Sequence, residues 1–182
     1  SSISEPGTGV SRAFVFNTTL GGPLFSVEAS TTQHDRHLIV TSDGNIYSRV
    51  WGTNLSQQIL KSTGLSLADG KTHQLVFTMG SNGGTKIYVD GALVVSGSRT
   101  GSDFNWGTYH RIGGSADANV GASSPQSFNG TIDSYRSWDT ELSSAQVTGF
   151  SPLPNPVHAY EFNSDTTDTG TSPASLSLYS GI

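Results

Sequence analysis

The sequence predicts an all-β fold, an antiparallel β-sandwich of the jelly-roll kind with one short helix. Three observations lead there. Apolar residues recur at every second position in roughly ten short segments, turn signals separate those segments by about 8 to 12 residues, and one stretch alone offers a helical period. The 182 residues suit a single domain over 1–182 with a full core and leave no room for a second large one.

The elements follow in order. Ala13-Phe14-Val15-Phe16, Leu24-Phe25-Ser26-Val27, His37-Leu38-Ile39-Val40 and Asn45-Ile46-Tyr47-Ser48-Arg49-Val50-Trp51 alternate and read as strands, with Ser42-Asp43-Gly44-Asn45 as a turn. His73 to Met79, Thr85 to Val89 and Ala92 to Ser96 form a clearer group. Gly80-Ser81-Asn82-Gly83-Gly84 turns the chain between the first two, and Asp90-Gly91, which takes positive φ at low cost, closes a type I′ hairpin between the last two. Tyr109 to Gly113, Gly130 to Trp138 and Val157 to Phe162 complete the strands. The helical period lies in Thr140 to Val147, with Leu142 and Val147 on one side.

Charge and composition narrow the function. Nine Lys+Arg against 14 Asp+Glu give a net charge of −5 and a pI near 5.3, with no basic stripe to release counterions from a phosphate backbone. Nucleic acid is therefore not an expected partner, and anionic membranes are disfavoured likewise. No apolar run approaches the roughly 18 residues of a spanning helix, so no membrane insertion is expected. The opening Ser1-Ser2-Ile3-Ser4-Glu5-Pro6 has neither a charged nor an apolar signal region, which places any export signal outside these residues. Charged residues make up 13% while Ser and Thr supply about a quarter, a hydroxyl-based solubility that points to an extracellular or cell-surface setting. With no cysteine, disulfides and thiolate chemistry are excluded.

The order of strands resembles a known family. Gly70-Lys71-Thr72-His73-Gln74-Leu75-Val76-Phe77, Lys86-Ile87-Tyr88-Val89-Asp90-Gly91-Ala92-Leu93-Val94, Arg111-Ile112-Gly113-Gly114, and Phe128 to Trp138 followed by Leu142-Ser143 are similar, in order, to four motifs of the laminin-G-like, concanavalin-A-like lectin jelly rolls. The resemblance implies that fold and an extracellular recognition module; being made of hairpins and core strands, it does not specify a ligand. Two departures stand out. Thr72 replaces the Trp usual before His73, and the family's opening segment resembles the back of this chain, Val157 to Gly170, so that 151–182 is expected to supply that opening strand beside the one ending at Trp138. Either a circular permutation or the start of a next repeat accounts for this order. A shorter likeness, Leu24 to Ser30 followed by Asp35-Arg36-His37, resembles the sialic-acid-binding modules attached to sialidases and implies that Arg36 pairs with a sugar carboxylate through its planar fork; an Arg36 salt-bridged to Asp35 or Glu28 is the plainer alternative.

Catalysis finds little support. Jelly-roll glycoside hydrolysis needs two carboxylates flanking a sugar bond, yet the 14 acids are scattered singly, and no Gly-x-Ser-x-Gly elbow occurs. His34 and His37 stand in a zinc-like spacing, but on a strand such positions face opposite ways and no third soft ligand is near, so zinc is not expected. Calcium is a stronger expectation. The family resemblance implies that Asp133 helps bind a structural ion, shared with Glu161, Asn163, Asp165 and Asp168 if the C-terminal segment pairs beside it; the alternative is that the acids make Asx-turns and accept backbone N–H groups.

A sugar is held by aromatic faces framed by a few hydrogen-bonding groups. Trp106 and Tyr109 lie in a polar segment from Gly101 to His110 where a Trp has no periodic core role, with Asp103, Asn105 and His110 as polar partners. The segment from Gly114 to Ser124 is expected to form the opposite wall, and Trp51, two residues from Arg49, to face the concave sheet with Tyr47. Alternatively, Phe104 and Trp106 plug one end of the sandwich. The sequons at Asn17, Asn54 and Asn129 match chance in so Ser/Thr-rich a chain, so no glycosylation is inferred. The expectation is a non-catalytic lectin or adhesin module that binds glycan or a cell-surface glycoconjugate, stabilised by calcium; a peptide-binding module and a structural spacer are the rivals.

Overall fold

The computed structural model describes residues 3–4, 9–28, 34–52, 56–102, 107–115, 127–149, 156–162 and 167–171. Among these described residues, eleven strands and one short helix follow one another as β1 (Ile3–Ser4), β2 (Val10–Glu28), β3 (His34–Val40), β4 (Ile46–Gly52), β5 (Ser56–Lys61), β6 (Thr72–Gly80), β7 (Gly84–Val89), β8 (Ala92–Gly97), β9 (Gly107–Ile112), β10 (Asn129–Trp138), α1 (Ser144–Val147) and β11 (His158–Glu161). All pairings are antiparallel.

Two layers arise because β2 belongs to both. Its first half lies between β10 and β6, giving the order β11-β10-β2-β6-β7-β8; its second half lies between β3 and β9, giving β5-β4-β3-β2-β9-β1. The alternation around Phe14 and around Leu24 therefore belongs to one 19-residue strand. The strand changes layer at Gly21-Gly22, whose φ values of 77° and 126° suit glycine, and a Cβ on Gly22 would come within 2.6 Å of the Ser127 carbonyl oxygen. Strand β5 was not legible from alternation, because its only apolar residues are the adjacent Ile59 and Leu60 on an edge where Ile59 stays 43% exposed.

Alternation on the facing sides fills the sandwich with Phe14, Phe16, Leu24, Phe25, Leu38, Val40, Val50, Leu75, Phe77, Met79 and Ile87. Aromatic rings run through it: Phe14 to Tyr135 at 5.1 Å between centroids, Tyr135 to Phe25 at 5.9 Å and Tyr135 to Tyr160 at 6.2 Å. A second cluster of Val76, Tyr88, Trp138, Leu142 and Val147 packs the far side of the first sheet against α1. That helix spans four residues, less than the two turns its sequence suggested, and a reciprocal Ser143–Gln146 capping box starts it. The hairpin between β7 and β8 has φ of 50° at Asp90 and 80° at Gly91, as a type I′ turn requires.

Candidate functional site

The second sheet has one side in the core and one side turned away from it. Cross-strand partners point the same way, so the register decides which residues share the outer side. His37 lies opposite Arg49 and Ser26, Arg49 opposite Ile59, and Ser26 opposite Arg111, which makes a row Ile59–Arg49–His37–Ser26–Arg111 across five strands. Two residues along on one side, Trp51 lies opposite Gln57 and Glu28 opposite Tyr109; on the other, Tyr47 lies between Ile39 and Lys61. The centre is buried although polar: Ser26, Glu28 and His37 are at most 1% exposed and Arg49 is 7%. The rim is open, with Tyr109 at 53%.

Burying charge is tolerated only where each group is paired. Glu28 accepts from Ser115 Oγ on Oε1 at 2.6 Å and pairs through Oε2 with Arg111 Nε at 2.7 Å. His37 Nε2 stands 3.8 Å from Glu28 Oε1, and Arg49 Nη2 lies 3.3 Å from His37 Nδ1. Arg49 also sits over the Trp51 ring at 5.7 Å, and Lys61 over Tyr47 at 5.6 Å. Gly114 and Ser115, just after β9, come back over this side, since Ser26 Oγ donates to the Gly114 carbonyl at 3.0 Å. The result is an aromatic-edged patch with two guanidinium groups, an imidazole and a carboxylate engaged on both oxygens, its centre buried and its Tyr109 rim open.

The expected site residues are distributed unevenly. Trp51 and Tyr109 are brought onto this outer side. Arg36 is not: it pairs opposite Val50 on the core side, is 3% exposed, and its Nε meets Asp35 Oδ2 at 2.8 Å while Nη2 donates to Ser102 Oγ at 2.8 Å, the salt-bridged alternative in buried form. His110 also faces the core, opposite Val27 and edge-on to Phe25 at 5.4 Å, because it is one residue out of phase with Tyr109 and Arg111. Asp103, Asn105 and Trp106 lie outside the described residues, as do 116–124 of the expected opposite wall. Arg49, Arg111, Glu28 and His37 were not assigned to this site from sequence. The signal was the shared parity of Tyr47, Arg49 and Trp51 and of Tyr109 and Arg111.

Of the described residues in the expected calcium set, Asp168 and Glu161 have protein partners for their carboxylates. Asp168 accepts from His158 Nδ1 at 2.7 Å, from Ala159 N at 2.9 Å and, as an Asx-turn, from Gly170 N at 2.8 Å. The same carboxylate and burial hold the Tyr160 hydroxyl up at about 12, burial being the larger cause. Glu161 pairs with Arg136, and the Asp133 carbonyl accepts from Phe162 N at 2.9 Å while Asp133 itself is exposed. Asp168 would have to give up its N–H donors to serve a hard cation, and among the described residues no three acidic or imidazole groups converge. Asn163 and Asp165 lie outside the described residues.

A two-layer antiparallel jelly roll in which one strand serves both sheets defines the lectin-like class of β-sandwich. The laminin G pattern of the Concanavalin A-like lectin/glucanases superfamily matches residues 13–148, and the chain belongs to that superfamily. Among solved structures it is similar to a putative carbohydrate binding protein from Bacteroides ovatus (TM-score 0.64, 16% identity, 94% of this chain and 52% of that one). It is also similar to the CBM40 of Ruminococcus gnavus IT-sialidase (TM-score 0.62, 16% identity, 82% of this chain and 95% of that one). Domains LG4-5 of the mouse laminin alpha1 chain align with a TM-score of 0.58 at 21% identity, over 80% of this chain and 39% of that one. Identities this low speak for the fold. No curated protein matches the chain by sequence. Among the described residues no helix is long and apolar enough to cross a membrane.

Proposed function

We propose that the chain is a non-catalytic, extracellular carbohydrate-binding module that holds a carboxylate-bearing glycan on the outer side of the β4-β3-β2-β9 sheet. One observation carries this reading: the register sets Trp51 and Tyr109 at two edges of a patch whose middle contains Arg49, His37, Glu28 and Arg111. Aromatic faces stack on the apolar side of a pyranose, and guanidinium forks match a carboxylate. The likeness to a sialidase CBM40 and to a putative carbohydrate binding protein supports the ligand class. Trp106, Asp103 and Asn105, which lie outside the described residues, are proposed from the sequence alone as further ligand-binding residues. Single-site affinity is weak and is raised by multivalent display.

The test is an array of neutral and sialylated glycans probed with wild type and the variants Trp51→Ala, Tyr109→Ala and Trp106→Ala. Each variant is expected to lose at least about tenfold in affinity, the equivalent of one stacking contact, with an unchanged melting curve. A signal on neutral glycans alone removes the carboxylate from the reading, and binding to extended peptides with silence on every glycan replaces it by peptide recognition. Calcium is proposed as a scaffold ion involving Asn163 and Asp165. EDTA is then expected to lower the melting temperature; an unmoved melting curve leaves the acids to their turns.

A further inference from the structure

The contact between Arg49 and His37 fixes where the imidazole carries its proton. A guanidinium has five N–H donors and no acceptor, and it keeps its charge throughout the biological pH range. The 3.3 Å contact from Arg49 Nη2 to His37 Nδ1 is therefore a hydrogen bond only when Nδ1 offers its lone pair. The proton of the neutral ring then sits on Nε2, which faces Glu28 Oε1 at 3.8 Å. Glu28 in turn is tied to Arg111 Nε at 2.7 Å. Arg49, His37, Glu28 and Arg111 thus form one relay between the two guanidinium groups of the patch, with the buried imidazole as its middle link.

We infer, resting on the glycan reading above, that His37 is the positioning residue that aims Arg49 at the ligand, and that its protonation releases Arg49 and makes binding acid-labile. When Nδ1 takes a proton, the only acceptor His37 offers Arg49 becomes a donor, and two cations meet. Among the described residues, the charged groups seen against the ring are Arg49 from β4, which opposes the proton, and Glu28 from β2, which favours it; Arg111 from β9 and Ser115 after it act by holding Glu28. On β3 itself Asp35 is already paired with Arg36 at 2.8 Å. A protonated ring draws on Glu28, so acid loosens Arg49 directly and Arg111 through the shared carboxylate. The carboxylate of a sialic acid stays ionised over the range in which an imidazole titrates, so the acid effect belongs to the protein.

Two measurements on the whole chain test this. Calorimetric titration with 3′-sialyllactose, with lactose as the neutral control, is made at about pH 8 and about pH 5.5. Wild type is expected to lose affinity by up to about tenfold per pH unit once the ring titrates, whereas His37→Gln, whose amide oxygen accepts from Arg49 at any pH, stays flat. Equal wild-type affinity at the two pH values overturns the proposal. The second measurement is the nitrogen–proton correlation spectrum of His37 in wild type, which needs no ligand and no variant. Nδ1 is expected bare and Nε2 protonated near pH 8, and a proton on Nδ1 there overturns the proposal outright. Failure of wild type to bind 3′-sialyllactose at either pH overturns the glycan reading itself, and the tautomer distinguishes that result from an error about His37.

Discussion

Glu28 holds the middle of the patch together, and its replacement by Gln isolates what its charge contributes. The side chain is 1% exposed, with Arg111 Nε at 2.7 Å on one oxygen and Ser115 Oγ at 2.6 Å on the other. Removing one partner of a buried pair costs roughly 3 to 5 kcal/mol. Two features lower that figure here. Arg111 is 35% exposed, so its guanidinium turns to water, and Gln retains an acceptor for Ser115. What is lost is the charge of one close ion pair in a poorly solvated place, about 2 kcal/mol. Urea unfolding reads this directly: with a slope of roughly 2 kcal/mol/M, the midpoint falls by about 1 M without a change in slope. The cycle Glu28→Gln, Arg111→Ala and the double variant is expected to return a coupling of about 1.5 kcal/mol. A coupling near zero, or a Gln variant as stable as wild type, refutes the assignment of a buried ion pair at this position.

His73 and Gly21 give further tests. Burial pulls the His73 imidazole down, but the hydrogen bonds its ring nitrogens donate to Asp90 at 2.8 Å and Asp69 at 3.1 Å outweigh it and raise the group above its ordinary 6.5. The stability it contributes is fully present below pH 6.5 and disappears as pH rises through the raised value. His73→Gln should therefore cost more at about pH 5.5 than at about pH 8.5 by thermal melting, and an equal cost at both would exclude a charged imidazole there. Gly21→Ala places a Cβ against the Val40 carbonyl at φ +77°, while Gly64→Ala at φ +75° meets nothing within 4 Å. Gly64→Ala is expected to cost only about 1 kcal/mol of left-handed strain and Gly21→Ala clearly more; equal melting temperatures of the two variants would deny that the strand must cross between layers so closely.

Alternation read from the sequence gives the strands of both layers apart from the short β1 and the polar edge strand β5. In β1 there are two residues, too few to show a period. The helix was over-long on paper because Leu142 packs in the cluster while lying before the cap at Ser143. At the site, the same period of two predicted that Trp51 and Arg49 share a side, yet it also shows why Arg36 and His110 do not reach it: each is flanked by residues of the other parity. Asp168, one of the acids expected to serve calcium, accepts from three N–H groups that spacing in the sequence does not reveal.

Local chemistry therefore decided the β class of this protein, its hairpin at Asp90-Gly91 and the side on which each strand residue stands, because strand pleating and left-handed turns depend on neighbours in the chain. It could not decide which strands lie together. The meeting of Arg49, His37, Glu28 and Arg111 rests on the register of four strands, and register is set by burial of apolar sides contributed from the whole length of the chain.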